Sequence, residues 1–335
     1  MPGHRILCLY PLADDEIDRI ARIPGVAIER RELAPDQTVD DLDLSRVEVL
    51  FHDRPPFEFG RAPRLRWVAS SGAGVEQLLD RSIPPTITVT NGSGLHAASM
   101  GEYCLGAILF AAQRNLVRLE HQRQHAWEPR DAAHGRRMRD RTLAVIGYGS
   151  IGREVARLAS AFGMRVIAVK TRPEQRADEG FAVPGLGDPA GTIPDRIVGL
   201  DGLHAVLAEA DCVVISLPLT PVTRGLFGAA ALAACRPDAW IVNIGRGPII
   251  DEGALVAALR GGRLGGAYLD VFDEEPLPSD HPYWDAPNLV ISPHVAGVNS
   301  YEHHWQLFGE LLEQNVRRFV AGEPLLNRVD LARGY

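Results

Sequence analysis

The stretch from Leu143 to Arg172, LAVIGYGSIGREVARLASAFGMRVIAVKTR, leaves this chain few ways to fold. Leu143 to Ile146 is a short apolar run of the kind found in buried parallel strands, and it breaks into Gly147-Tyr148-Gly149-Ser150-Ile151-Gly152, a G-x-G-x-x-G. From Ile151 to Phe162 the apolar residues Ile151, Val155, Ala156, Leu158, Ala159 and Phe162 recur at helical spacing, with Gly163 where a C-terminal cap glycine belongs. Arg165 to Val169 then predicts a second strand. A glycine hexad alone is a weak signal. One that leaves a strand and opens a helix within about thirty residues is the pattern of a dinucleotide-binding unit. Gly147 permits the tight turn, Gly149 lets the backbone approach a pyrophosphate, Gly152 lets helix and strand pack closely, and the helix N-terminus offers unpaired N–H groups to the anion.

At 335 residues, 46% of them hydrophobic and 23% charged, the chain has room for about two ordinary globular domains. A net charge of −8 without a concentrated basic face argues against nucleic acid as a partner. Arg136-Arg137-Met138-Arg139 is the densest basic run and reads as a solvated loop. The apolar run ahead of Asp14 and Asp15 is too short for a signal peptide, and no later segment reaches membrane-spanning length. The expectation is a cytoplasmic protein without a membrane partner. Cys8, Cys104, Cys212 and Cys235 lie far apart in apolar segments, which predicts buried thiols rather than disulfides or a zinc site.

Ahead of the glycine unit, Ile6 to Tyr10, Val26 to Glu29, Val47 to His52, Arg66 to Ala69 and Ile87 to Thr90 are strand candidates separated by polar, helix-forming or Pro/Gly-rich segments. This alternation predicts a small open parallel-sheet domain. Within it, Ser70-Ser71-Gly72-Ala73-Gly74-Val75 follows a strand and precedes a helical stretch, which is either a plain turn or a place where free N–H groups hold an anion. Ser99-Met100-Gly101-Glu102 reads as a capping box that starts a long helix, apolar from Tyr103 to Ala112 and polar from Gln113 to His125. Pro173 to Gly199 has no period and reads as an extended surface loop, longer than such connections usually are. Beyond it the pattern gives helices at Leu203 to Glu209, Ala229 to Ala234 and Asp251 to Arg260. Strands fall at Cys212 to Leu217, Trp240 to Ile244, Gly266 to Leu269 and Leu289 to Ser292.

In an open parallel sheet the ligand lies outside the carboxyl ends of the strands. Arg246, Asp270 and His294 each follow a strand. Singly, each has an ordinary explanation: a surface arginine, an aspartate capping a turn, a histidine in a polar rim. Together, at the ends of consecutive strands, they are harder to dismiss. They sit in three blocks, Val242 to Asp251 (VNIGRGPIID), Leu269 to Pro278 (LDVFDEEPLP) and Ser292 to Gly297 (SPHVAG). These blocks resemble the signature motifs of the D-isomer-specific 2-hydroxyacid dehydrogenases. Ser216 to Gly225 (SLPLTPVTRG) and the Gly72 to Val75 turn are similar to further parts of that family, so the resemblance covers nearly the whole chain.

The resemblance implies that His294 is the acid/base, Glu275 its partner, and Arg246 the residue that grips the substrate carboxylate and polarises the 2-oxo group. These residue types suit the reduction of a 2-keto acid, which needs a hydride at C2 and a proton on its oxygen. Imidazolium is the donor naturally poised near neutral pH, a neighbouring carboxylate favours the protonated imidazole, and guanidinium is a planar fork matched to a carboxylate. By the same resemblance, cofactor contacts come from Gly147 to Gly152 and from Leu217, Pro218, Thr223, Ile244, Gly245, Arg246, Asp270, His294 and Gly297, with Asp270 beside the nicotinamide amide. Gly72, Ala73 and Gly74 hold the substrate carboxylate with Arg246 and His294, and no metal is used. The implied fold is α/β, with two open parallel-sheet domains. A Rossmann domain, residues 101–298, is inserted into a flavodoxin-like substrate domain, residues 1–100 and 299–335, with the active site in the cleft and a homodimer formed through the cofactor domain.

An NAD enzyme usually carries Asp or Glu at the end of the second strand, about twenty residues after the glycines. Here Lys170-Thr171-Arg172 stand in that place, so NADP(H) is the preferred cofactor and NAD the alternative. His303-His304-Trp305 fits no period and is expected on a helix surface or pocket wall, and Trp305 and Trp127 are candidate pocket walls. Two other functions share this fold. Formate dehydrogenases of similar sequence pair Gln rather than Glu with the histidine, and Glu275 counts against that reading; the related phosphite dehydrogenases are grouped with them. A nucleotide-sensing corepressor would be marked by a peptide-docking groove and a disordered tail.

Overall fold

The computed structural model describes residues 3–34, 36–53, 58–75, 78, 83–127, 134–297 and 301–333. The chain divides into two compact units, Met1–Leu95 with Glu179–Val183 and Ser300–Tyr335, and His96–Asp178 with Pro184–Asn299.

In the first unit, β1 (His4–Cys8), β2 (Val26–Arg30), β3 (Val49–Phe51), β4 (Trp67–Ala69) and β5 (Thr88–Thr90) form a parallel sheet in the order β2-β1-β3-β4-β5. The period of two sorts its side chains to opposite faces. Ile6, Cys8, Phe51 and Trp67 pack with Leu307, Phe308, Leu311, Leu312 and Val316 of the C-terminal helix Tyr301–Ala321. Leu7, Leu50 and Val68 pack on the other side with Val39, Leu42, Leu44 and Ile87. The sequence pattern did not disclose that C-terminal helix, whose apolar stripe is interrupted by His303 and His304.

The second unit holds β6 (Thr142–Ile146), β7 (Arg165–Val169), β8 (Arg196–Val198), β9 (Cys212–Ile215), β10 (Trp240–Asn243), β11 (Gly266–Leu269) and β12 (Leu289–Ile291). They pair in parallel in the order β12-β11-β10-β9-β6-β7-β8. Val145 and Ile146 lie on opposite faces, both at 0% exposure. Each buried side chain is worth about 1.5–3 kcal/mol, so burial on both faces holds the strand that aims the glycine turn. The chain leaves β6 toward β7 and β8, then returns to β9 and runs outward the other way. The glycine turn after β6 therefore stands at the point where the strand order reverses.

Three expectations need correction. The long helix begins at Ala97, not at a capping box on Ser99: the Ser99 hydroxyl lies inside the helix and donates back to the His96 carbonyl at 3.1 Å. That helix ends at Ala112, and a second one, Asn115–Arg123, starts after Arg114 takes a left-handed φ of 53°. The Pro173 to Gly199 segment is not a loose surface loop. It contains β8 and is built around Asp188, 5% exposed, whose carboxylate accepts from the Tyr148 hydroxyl at 2.6 Å and from the N–H groups of Thr192 and Ile193. The four cysteines are free and buried, and among the described residues no helix is long and apolar enough to cross a membrane.

Candidate active site

The glycine turn has the geometry its sequence predicts. Gly147 takes a φ of 103°, and its carbonyl accepts from Ser216 Oγ at 2.8 Å. A Cβ on Gly152 would stand 2.1 Å from the Gly147 carbonyl oxygen, whereas one on Gly149 would meet nothing within 4 Å. The turn is therefore packed tight beneath and open at Gly149, ahead of the helix Ser150–Ala161. These residues fit a dinucleotide: bare backbone at Gly149 and a helix N-terminus behind it. Tyr148, by contrast, is 2% exposed and faces inward to Asp188, with the buried Arg153 guanidinium 4.7 Å above its ring.

At the end of β7, Lys170 Nζ donates to the Gln175 carbonyl at 2.5 Å, and burial lowers its pKa. That bond takes one of the three ammonium donors, while Arg172 is exposed. Thr223, named with the cofactor contacts, is 2% exposed, and its hydroxyl donates to the Pro218 carbonyl at 2.7 Å. It shapes the Leu217 to Thr223 turn from inside. Leu217, Ile244 and Gly245 likewise bring backbone rather than side chain to this edge: a Cβ on Gly245 would stand 2.7 Å from the Leu217 carbonyl oxygen.

The three polar residues follow adjacent strands, Arg246 after β10, Glu275 after β11 and His294 after β12. Asn243 ties the first loop, accepting from the Gly245 N–H and donating to the Arg246 carbonyl. Gly247 has no room for a Cβ, which would stand 2.0 Å from the Phe272 backbone, so the Arg246 turn is pressed against the segment that leads to Glu275. Glu275 uses both oxygens: Oε1 accepts from the Phe272 N–H at 2.9 Å, and Oε2 lies 2.7 Å from His294 Nδ1. His294 stands in a left-handed conformation with φ 54° and a half-exposed imidazole. Asp270, 1% exposed, accepts from Ser292, Val295 and Ala296, so in this structure it holds the turn that carries His294; among the described residues Oδ2 has a single donor.

In the first unit the Ser70 to Gly74 turn is anchored by Asp53, which the sequence reading missed. Its Oδ1 accepts from the Tyr10 hydroxyl, Ser70 Oγ and the Ser71 N–H at 2.8 to 2.9 Å. The carbonyls of Gly72 and Ala73 are held by the Gly92 N–H and Asn91 Nδ2. Among the described residues no acceptor meets the N–H groups of Gly72, Ala73 or Gly74. The helical stretch expected after Val75 lies largely outside the described residues. Trp305 packs on Tyr10, ring centroids 5.2 Å apart, and Trp127 is fully exposed.

Residues 106–296 match the family model described as D-isomer specific 2-hydroxyacid dehydrogenase, NAD binding domain. The chain is 37% identical to glyoxylate reductase of Aeropyrum pernix over 246 residues, 71% of this chain and 69% of that one. It is 34% identical to (S)-sulfolactate dehydrogenase of Chromohalobacter salexigens over 259 residues, 77% of this chain and 78% of that one. Among solved structures it is similar to a D-isomer specific 2-hydroxyacid dehydrogenase from Xanthobacter autotrophicus Py2 in complex with NADPH and MES, with a TM-score of 0.80, 32% identity and 100% of both chains covered.

Proposed function

The chain belongs to the D-isomer-specific 2-hydroxyacid dehydrogenases, NAD(P)-dependent oxidoreductases, and on that premise we propose that it reduces a small 2-keto acid, of the glyoxylate or hydroxypyruvate kind or larger, to the D-2-hydroxy acid with NADPH. The observation that carries this reading is the 2.7 Å pair of His294 and Glu275 at the carboxyl end of the sheet, with Arg246 following the neighbouring strand β10.

The nicotinamide, when bound, supplies the hydride that adds to C2. With Nδ1 engaged by Glu275 at 2.7 Å, His294 presents Nε2 as the donor that protonates the substrate oxygen, and Glu275 fixes the orientation of the ring for that transfer. Arg246 pairs with the carboxylate and draws charge from the 2-oxo group. The N–H groups of Gly72, Ala73 and Gly74 bind the same carboxylate. At the other end Gly147 to Gly152 take the pyrophosphate, and Arg172 with Thr171 takes the 2′-phosphate, Lys170 being turned to Gln175. Asp270 would stand beside the nicotinamide amide of the bound cofactor. The active form on this reading is a homodimer.

The test is a panel of 2-keto acids assayed with NADPH and NADH by absorbance of the reduced nicotinamide. Turnover of at least one 2-keto acid, faster with NADPH, is expected, and His294→Ala loses nearly all of it while still binding cofactor. A panel without turnover, or an unimpaired His294→Ala enzyme, refutes the assignment.

A further inference from the structure

A left-handed backbone is strained for a non-glycine residue, and it persists only where its surroundings over-determine it. The turn that carries His294 is held in that way at its middle and at both ends. In the middle, Asp270 Oδ1 accepts from the Val295 N–H and Oδ2 from the Ala296 N–H, both at 2.9 Å.

At the first end, Ser292 Oγ donates to Asp270 Oδ1 at 2.6 Å. A serine hydroxyl has one proton, and this one is spent on the carboxylate. In the short contact between Ser292 Oγ and the Tyr103 hydroxyl, Tyr103 is therefore the donor, and Asp270 Oδ1 stands as a more distant acceptor at 3.5 Å. Burial raises the pKa of Tyr103 and keeps it protonated for that task, while its ring stands edge-on to Tyr268 at 5.5 Å.

At the other end, His96 Nδ1 lies 3.0 Å from the Gly297 carbonyl. A carbonyl cannot donate, so Nδ1 carries the proton; burial lowers the His96 pKa, which favours the neutral ring. A Cβ on Gly297 would stand 3.4 Å from that nitrogen. His96 caps the helix Ala97–Ala112, and Tyr103 lies two turns further along the same face. One helix thus grips the catalytic turn at residue 292 and at residue 297.

We propose that His96 and Tyr103 are positioning residues for proton transfer, holding the Ser292 to Gly297 turn so that the His294 imidazole stays on Glu275. The inference rests on the role given to His294 above. Neither side chain is assigned contact with substrate.

Steady-state kinetics of Tyr103→Phe, His96→Leu and His96→Asn test it, with NADPH affinity measured separately by fluorescence. Tyr103→Phe removes one hydroxyl and keeps the ring, and His96→Asn keeps an N–H donor near the place of Nδ1. A misplacement of this kind costs on the order of tenfold to a hundredfold. Expected is a fall in kcat of about tenfold or more for Tyr103→Phe and His96→Leu, NADPH affinity within about twofold of wild type, and recovery of most of the loss in His96→Asn. A smaller fall in kcat, an equal loss in His96→Asn and His96→Leu, or a matching loss of NADPH affinity overturns the proposal. His294→Ala run alongside separates the failures: if it turns over normally, the reading of His294 is at fault, and if it is inactive while Tyr103→Phe is not, this inference alone falls.

Discussion

At the scale of single residues, the site rests on groups that are distant in the chain: Glu275 Oε2 lies 2.7 Å from His294 Nδ1. Arg246 and His294 were legible because each follows a strand, and Glu275 only through the resemblance of its block. Asp53, His96 and Tyr103 were not, because the partners that give them meaning, Ser71, Gly297 and Ser292, lie 18, 201 and 189 positions away. Lys170 spends one of its three N–H donors on the Gln175 carbonyl at 2.5 Å, while Arg172 is exposed. On the proposed preference for NADPH, the larger share of the 2′-phosphate contact would therefore come from Arg172. Arg172→Ala should raise the Kd for NADPH by about tenfold, the loss of a charged hydrogen bond, with NADH within about twofold. Lys170→Ala should change the ratio of the two affinities far less. Titration of both cofactors against the variants decides it, and equal losses for NADPH and NADH in Arg172→Ala would remove this residue from cofactor selection.

At the scale of elements, strands buried on both faces were read well because nothing competes with an uninterrupted apolar run. β8 escaped notice: three residues, Arg196–Val198, carry no pattern, and the loop before them is ordered by Tyr148, Arg153 and Asp188 rather than by its own sequence. The capping box failed for a related reason, since a serine that can cap can also donate back to a carbonyl within the helix. The glycine turn separates fold from binding within one element. A Cβ at Gly152 collides with the Gly147 carbonyl at 2.1 Å and with Val145 Cγ1 at 2.9 Å, neither of which can yield without moving the strand. A Cβ at Gly149 meets open space. Gly152→Ala should therefore lose about 1–3 kcal/mol of stability and lower the melting temperature, as overpacking does. Gly149→Ala should melt like the wild type yet bind NADPH more weakly, because the methyl group stands where a pyrophosphate approaches. Unchanged affinity in Gly149→Ala would show that the open face of this turn is not the dinucleotide site.

At the scale of the whole molecule, Asp53 in one unit and Asp188 in the other are carboxylates surrounded by hydrogen-bond donors, and the two share a response to acid. For Asp53 in the first unit and Asp188 in the second, burial acts to raise the pKa. Donors overcome it, Tyr10 with Ser70 and Ser71 in one case and Tyr148 with Thr192 and Ile193 in the other, and both end below the ordinary carboxyl value of 3.8. A carboxyl whose folded pKa is depressed contributes stability that is present above its unfolded value and lost as the pH falls through the folded one. Glu16 runs the other way: burial raises its pKa above 4.5, so its cost in the folded state is relieved as the pH falls toward that value. Stability should hold from neutral pH down to about pH 4 and fall below it, with both units affected. Asp53→Asn and Asp188→Asn should each cost about 1.5–3 kcal/mol at pH 7, the range for a hydrogen-bonded charge, and the gap between each variant and the wild type should narrow as the pH falls from the ordinary value of 3.8 toward about 3, because the unfolded carboxyl takes up its proton ahead of the native one. Melting temperatures recorded across that range decide the matter: wild-type and variant curves that stay parallel down to pH 3 would mean that these carboxylates stabilise the fold by shape and not by charge.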